Sequence, residues 1–533
     1  MGRLVIYVAV ALCMVMGLLP ISVQAKQERT DEPRLILVIS VDQLGSDMFN
    51  RMRPVFRHGF RRLLDQGVDF ANAEHRHAIT ETAVGHASLA TGVYPRRHGI
   101  IGNWWLEAGE PEKIWSIDDD EDDESPRKLL ASTLGDWLKG HDRAGRVIAA
   151  SAKDRTAIML GGRKADAAVW YDDEPGLMVS STYYEHHSWL DEFNSFGIAA
   201  GYFGEVWTPL PLEASELEGL EIEKVDLGPR QRRRPYAPGS LDIAPAEDFY
   251  DSLWDSPWLD DLLARFAHHA IQAEGLGSDG SIDLLALGFS ASDTVGHDWG
   301  PNSREKVDVL LRLDRLLGEL FDLVDRRVGL NRTIVAVTSD HGSVTAPEVR
   351  RKRGGEAGRP ISPIVYCLQS VGGRLAKAHG VERWLIAGPI LAPELEAKTG
   401  LSRSELESKT AAAIEECPSV TAVWTQDELM EPVASDPIQR LYFNSFNLDR
   451  SPDFLIQFDE YFMKSRSLFT SHGTVYAYDR EVPILIMAPG IEPGTVDQPV
   501  ATVDLAPTLA SLAGIPYPDD LDGTDLTPLM PRH

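Results

Sequence analysis

Apolar residues fall along this chain in two rhythms. Short runs with little polar alternation occur at Leu35–Val41, Arg146–Ala152, Ile282–Gly288, Ile334–Val337 and Val482–Met487. Runs of this length and β-branched content predict strands buried on both faces of a mostly parallel sheet. Between them, apolar positions recur at helical spacing over about 51–66, 83–90, 257–273, 303–327, 403–415 and 503–514. The Thr91-Gly92 step ends the second of these helices. Strands alternating with helices predict an α/β fold, a central mostly parallel sheet flanked by helices. Three stretches interrupt the alternation, at about 104–145, 162–280 and 345–465. The 162–280 stretch, rich in Trp, Tyr and Pro and carrying a basic patch at Arg230–Arg234, reads as loops or a cap draped over the main sheet.

Residues 1–25 break the pattern. Arg3 supplies a positive start, a continuous apolar segment follows, and Val23-Gln24-Ala25 offers small residues for a protease. This is the form of a cleaved secretory signal, with the cut after Ala25 and a periplasmic or secreted mature chain. A retained membrane anchor is the competing reading, but Pro20 and the polar residues beyond it favour cleavage, so no stable anchor is expected. Leu12 before Cys13 is too large for a lipoprotein cleavage site. Residues 26–34 then form a polar linker, and 35–530 a single domain with the three insertions.

The 533 residues carry a formal net charge of −29, and loss of the signal, with its one Arg and no acid, makes it −30. Such a surface repels nucleic acid polymers and anionic lipid, while a small anion held in a focused site is still compatible with it. Only Cys367 and Cys417 outlast processing. They are free to pair in an oxidising compartment, but two cysteines make no disulfide framework. The acidic run Asp118–Glu124 is a solvated loop by default; the alternation of an EF-hand calcium loop is missing. Asn331-Arg332-Thr333 is a glycosylation sequon, meaningful only in a eukaryotic secretory pathway.

The chemistry-bearing residues cluster just beyond the apolar runs. Leu35–Val41 ends at Asp42, and Ile334–Val337 leads into Thr338-Ser339-Asp340-His341-Gly342. In α/β sheets, ligands bind at the carboxyl ends of strands. Neighbouring side chains on a strand face opposite ways, so Asp340 and His341 share a target only where the strand has become a loop. Ile282–Gly288 leads into Asp293 and His297, four apart, which one helical turn brings together. His472 precedes a glycine in Ser471-His472-Gly473-Thr474. Thr82 stands where a helix begins, facing backbone N–H groups and the positive end of the helix dipole, a place that favours an alkoxide or a phosphate. It also suits a plain N-cap, and Thr80 competes for the same position. Lys153 and Arg155 share a face if extended and together suit a dianion; separately they are a routine surface pair. His86 and His98 read as structural.

Asp42, Asp293 and Asp340 with His297, His341 and His472, and the Thr82 oxygen, make a mixed oxygen and imidazole set. That mixture suits two zinc ions, and three imidazoles favour zinc over manganese. With Asn103, Lys153 and Arg155 added, the set resembles the alkaline phosphatase superfamily, in particular the secreted PafA-like alkaline phosphatases that pair a threonine nucleophile with Lys-x-Arg. The resemblance rests on Asp42-Gln43, the TAVGHASLATG run from Thr82, the HGIIGN run ending at Asn103, Lys153-Asp154-Arg155, Asp293 with His297, Ser339-Asp340-His341-Gly342 and Ser471-His472-Gly473-Thr474. It implies an alkaline-phosphatase-like fold and hydrolysis of phosphate monoesters through a phosphothreonine. One zinc would be held by Asp293, His297 and His472. The other would be held by Asp42, Asp340, His341 and the Thr82 oxygen. Thr82 is similar to the family nucleophile in its spacing to Asn103, which settles the contest with Thr80. Asn103, Lys153 and Arg155 would bind the phosphoryl oxygens. The Cys-x-Pro-x-Arg of sulfatases is absent from the chain. A nucleotide pyrophosphatase or phosphodiesterase on the same fold is the alternative, and a binding protein with a dead site the reading of another class.

Overall fold

A computed structural model describes residues 32–532 apart from 107–112, 221, 223–244, 246, 360, 432–434 and 464–467. The signal segment and the Arg230–Arg234 patch lie outside the described residues. Nine strands form the central sheet: β1 (Leu35–Val41), β2 (Val68–Phe70), β3 (Ala144–Ser151), β4 (Ala167–Asp172), β5 (Leu177–Val179), β6 (Ile282–Phe289), β7 (Thr333–Thr338), β8 (Ile484–Met487) and β9 (Gly494–Val496), in the spatial order β5-β4-β3-β6-β1-β7-β8-β2-β9. The run from β4 to β7 is parallel, while β5 and β8 pair antiparallel with their neighbours.

Every residue of β1, β6 and β7 is buried, as a mainly apolar run between two helical layers requires. Leu35, Leu37, Ile39 and Val41 face one layer, which includes α3 (Trp258–Ala273) and α5 (Arg304–Arg327). Ile36 and Val38 face the other, which includes α6 (Leu505–Ala513). The parallel register aligns Val41 with Phe289, Ser40 with Thr338 and Gly288 with Ser151, so four strands end along one line. Whatever follows those ends is brought together by the sheet alone.

Two expectations need correction. The 162–280 stretch is not only a cap: β4 and β5 extend the central sheet, and α3 packs into its core. The apolar run Ala167-Ala168-Val169-Trp170-Tyr171 carries the sheet outward, and its aromatic content masked it as loop. The helix expected over 51–66 is two helices, Ser46–Met52 and Gly59–Gln66. Pro54, which has no N–H to give, sits in the break. The 345–465 insertion has a small core of its own around Trp384, with a two-stranded ribbon of Val420–Thr425 and Phe454–Phe458 and a Cys367–Cys417 disulfide. The acidic run forms a short hairpin whose Asp119 and Asp122 pair with Arg127.

Candidate active site

Helix α1 (Thr82–Thr91) begins with Thr82, itself 1 % exposed, after the extended residue Glu81. It runs so close to the loop after β7 that a Cβ on Gly85 would lie 2.2 Å from the Asp340 carbonyl oxygen. Only glycine permits that approach, and it sets the nucleophile candidate beside Asp340. Asn103 is held at both ends: its backbone N–H donates to Glu81 Oε2 at 2.8 Å, and its Oδ1 accepts from the Ala83 N–H at 2.9 Å. With its oxygen turned to the helix N-terminus, the amide presents its NH2 elsewhere, as a donor. Glu81 escaped the sequence reading. Its only signal there is adjacency to Thr82.

Lys153 caps α2 (Asp154–Gly161), and its side chain is buried. Its Nζ donates to Asp42 Oδ2, to Asp293 Oδ2 at 2.6 Å, and to Thr82 Oγ1 at 3.5 Å. Arg155 hydrogen-bonds the adjacent Asp154, while its buried Nε has no hydrogen-bond partner among the described residues.

The six carboxylate and imidazole candidates meet at this same end of the sheet. On α4 (Ala291–Trp299), His297 Nε2 lies 3.2 Å from Asp293 Oδ1, one turn away as the spacing required. His472 Nε2 lies 3.8 Å from the same oxygen. His341 Nε2 lies 3.3 Å from Asp340 Oδ2 and 3.5 Å from Asp42 Oδ1. The rings of His341 and His472 stack with centroids 3.5 Å apart. Two tight groups have all their donor atoms within 4.8 Å of one another: Asp42, Asp340 and His341, and Asp293, His341 and His472. His341 thus stands between the two groups, and His297 flanks the second through Asp293. Thr80, the rival of Thr82, is buried and spends its hydroxyl on the Thr474 carbonyl. His86 Nδ1 lies 2.8 Å from the Thr82 carbonyl oxygen on its own helix and 3.5 Å from Asp340 Oδ2, while His98 pairs with Ser88 and accepts from the Ile100 N–H.

The electrostatics are those of a cation site. His341 Nδ1 donates to the Gly342 carbonyl at 3.0 Å, and burial pushes this histidine below its usual range. The neutral ring therefore aims the Nε2 lone pair at two carboxylates. Asp42 Oδ1, Asp340 Oδ2 and His341 Nε2 are buried and lack any hydrogen-bond partner among the described residues. Lone pairs facing lone pairs in a dry pocket are costly unless a cation lies among them. Each of the three histidines donates Nδ1–H to a backbone carbonyl, of Gly342, Thr470 and Thr80 respectively for His341, His297 and His472, an arrangement that leaves Nε2 for coordination. Burial first, then Asp293 and Asp340, raise Asp42 to about 6 against the pull of Lys153. Burial likewise raises Asp340 to about 7. Burial works against Asp293 too, but His297 and Lys153 overcome it and hold that carboxyl well below the ordinary range. Three carboxylates, of which two ionise reluctantly, fit divalent cations that would replace protons and the ammonium.

Residues 36–463 match the family described as type I phosphodiesterase / nucleotide pyrophosphatase. Over its length the chain is similar to alkaline phosphatase PafA of Elizabethkingia meningoseptica, 28% identical with 97% of this chain and 98% of that one covered. It is similar also to alkaline phosphatase PhoV of Synechococcus elongatus, 29% identical with 93% of each covered. The crystal structure of wild-type PafA superposes with a TM-score of 0.83 at 27% identity, covering 93% of this chain and 98% of that one. A PafA variant of known structure is substituted at a threonine, an asparagine, a lysine and an arginine, with the Thr-to-Asn and Lys-to-Arg spacings of Thr82 to Asn103 and Lys153 to Arg155. Murine ectonucleotide pyrophosphatase / phosphodiesterase 5, with a TM-score of 0.52 at 17% identity, shares the fold.

Proposed function

The chain belongs to the type I phosphodiesterase / nucleotide pyrophosphatase family, and we propose that within it this protein is an exported alkaline phosphatase that hydrolyses phosphate monoesters through a phosphothreonine at Thr82. The observation that carries the reading is the Lys153 ammonium 3.5 Å from the Thr82 hydroxyl, beside Asp42 Oδ1, Asp340 Oδ2 and His341 Nε2, three buried atoms with no hydrogen-bond partner among the described residues. A monoester is a dianion, and a second positive group beside the nucleophile suits two charges better than the single charge of a diester. The full-length similarity to PafA and PhoV supports the same choice. The family description supports diester hydrolysis as the second reading.

Asp42, Asp340 and His341 would hold one divalent cation and Asp293, His297 and His472 another, zinc by donor type, with Thr82 Oγ1 beside the first. Such ions supply positive charge that stabilises an alkoxide and neutralises phosphoryl oxygens. Thr82 Oγ1 attacks phosphorus, its proton is lost to solvent, the Oγ–P bond forms, and the P–O bond to the leaving group breaks, the departing alkoxide taking a proton from solvent to leave as the alcohol. Water then attacks the same phosphorus, releases phosphate and restores the hydroxyl. The Asn103 NH2, oriented by Glu81 and Ala83, donates to a non-bridging oxygen, and Lys153 and Arg155 neutralise the others.

Turnover of p-nitrophenyl phosphate against bis-p-nitrophenyl phosphate, with metal content measured, tests the substrate class. Mass spectrometry of acid-quenched enzyme tests the intermediate: a phosphate on the peptide containing Thr82 is expected, absent in Thr82→Ala. Preferential turnover of the diester, or trapping on another residue, overturns the reading.

A further inference from the structure

Gln43 follows Asp42 with φ of 64°, the left-handed conformation that residues with side chains rarely adopt. From there it reaches both ligand groups. Its backbone N–H donates to Asp340 Oδ1 at 3.2 Å, and its Nε2 donates to Asp293 Oδ1 at 2.6 Å. Behind it stands Lys306 of α5, a lysine with 0 % of its surface exposed. Lys306 Nζ donates to the Gln43 carbonyl at 3.1 Å, to Gln43 Oε1 at 3.3 Å and to the Ser292 carbonyl at 2.5 Å. All three acceptors are neutral. A Cβ on Gly296 would lie 1.9 Å from Gln43 Oε1, so α4 is bare where this amide passes it.

A buried ammonium with no carboxylate among its acceptors is an unusual occupant for a core position, because desolvating the charge is costly. The directions of its three bonds show what it accomplishes. Two of them grip Gln43 at the main chain and at the side chain. With Oε1 turned to Lys306, Nε2 is committed to Asp293 Oδ1, the oxygen that His297 and His472 approach, which fixes how that carboxylate is turned. The grip on the main-chain carbonyl holds the strained backbone whose N–H binds Asp340. The third bond holds Ser292, next to Asp293 on α4.

We propose that Lys306 is a positioning residue for both metal groups, acting through Gln43, an inference that rests on the two-cation reading of the site. A lysine serving only the stability of the core would leave the affinities of the two ions alone once the protein is folded. Lys306 instead sets the affinity of each ion, by orienting the carboxylate ligands that receive hydrogen bonds from Gln43.

Zinc affinities measured by stepwise chelator competition on wild type, Lys306→Met, Gln43→Met and the double variant test this, with zinc-free thermal unfolding to confirm folding. Lys306→Met is expected to weaken both ions, each about tenfold or more, the scale of losing a group that orients a ligand. Gln43→Met keeps its backbone N–H and is expected to weaken only the ion at Asp293. Lys306→Met is expected to cost less at that ion in the Gln43→Met background. Wild-type affinity in folded Lys306→Met, or an equal loss in both backgrounds, overturns the inference while the two-cation reading stands. If Lys306→Met does not fold, Gln43→Met decides alone: unchanged affinity for both ions overturns it. A wild-type protein that binds no zinc overturns the two-cation reading itself and the inference with it.

Discussion

Lys153 Nζ lies 2.6 Å from Asp293 Oδ2 and also bonds Asp42, so one ammonium joins carboxylates that follow two different strands, β6 and β1. All three side chains are buried. Burial alone would lower Lys153, but Asp293 and Asp42 outweigh it and raise it instead.

Removing the ammonium leaves two buried carboxylates uncompensated. Lys153→Ala is therefore expected to lose about 3–5 kcal/mol of stability in chelator-treated protein, the scale for breaking a buried pair. In zinc the loss should shrink, because divalent charge compensates the same carboxylates. Urea unfolding with and without zinc checks this, and an equal loss in both conditions would refute the shared-carboxylate account.

Lys153→Ala combined with Arg155→Ala bears on substrate choice. Monoester kcat/KM is expected to fall about 10²–10³-fold, the range for losing oriented transition-state donors. Diester kcat/KM should fall by less than about tenfold, since one phosphoryl charge fewer needs a partner. Equal losses on the two p-nitrophenyl substrates would remove these residues from the specificity argument.

The pH dependence of the zinc-stripped protein has a definite sign. Asp42 and Asp340 bind protons more tightly folded, at about 6 and about 7, than at their ordinary value of 3.8. Unfolding in that window releases protons, so the contribution of these two groups to stability falls as pH rises from 3.8 towards 7. Asp293, held low, works the other way and loses its contribution only in strong acid. Asp340→Asn should flatten the fall above about pH 5, read from urea midpoints against pH. Zinc competes with the same protons, so its affinity should climb across that window.

Gly85→Ala tests the contact between α1 and the loop after β7. The added methyl would meet the Asp340 carbonyl oxygen at 2.2 Å, and neither backbone can yield without moving Thr82 or Asp340. A destabilisation of about 1–3 kcal/mol or more is expected. Monoester turnover should drop at least tenfold while the circular dichroism spectrum stays near wild type. Full activity would show that the helix and the loop are less closely joined than their spacing indicates.

The strands and the placement of the residues at their tips were legible because both are local. An apolar run announces its strand, and the residue after it is at the sheet edge whatever the loops do, which is how Asp42, Asp293 and Asp340 could be placed together. Residues that act through distant partners were not legible. Lys306 sits in an amphipathic helix where a lysine reads as solvated, and only the fold turns it onto Gln43. Glu81 looks like any acid before a helix until Asn103 comes back to it. The division of ligands expected from the resemblance also met a feature that spacing does not encode: His341 stands within reach of both groups. The 162–280 stretch misled because the apolar run of β4 is short and aromatic, and its pairing with β3 is long-range.

The three Nδ1–H bonds of His297, His341 and His472 end on main-chain oxygens of Thr470, Gly342 and Thr80. A main-chain oxygen is fixed by the path of the chain, so the tilt of each ring is set by backbone geometry. That path limits what can stand at Gly342, where a Cβ would lie 2.2 Å from the Tyr478 carbonyl oxygen. Thr80 and Thr470 are buried and commit their own hydroxyls to the carbonyls of Thr474 and Val344. A substitution at any of the three therefore reaches an imidazole through the backbone, without touching a ligand.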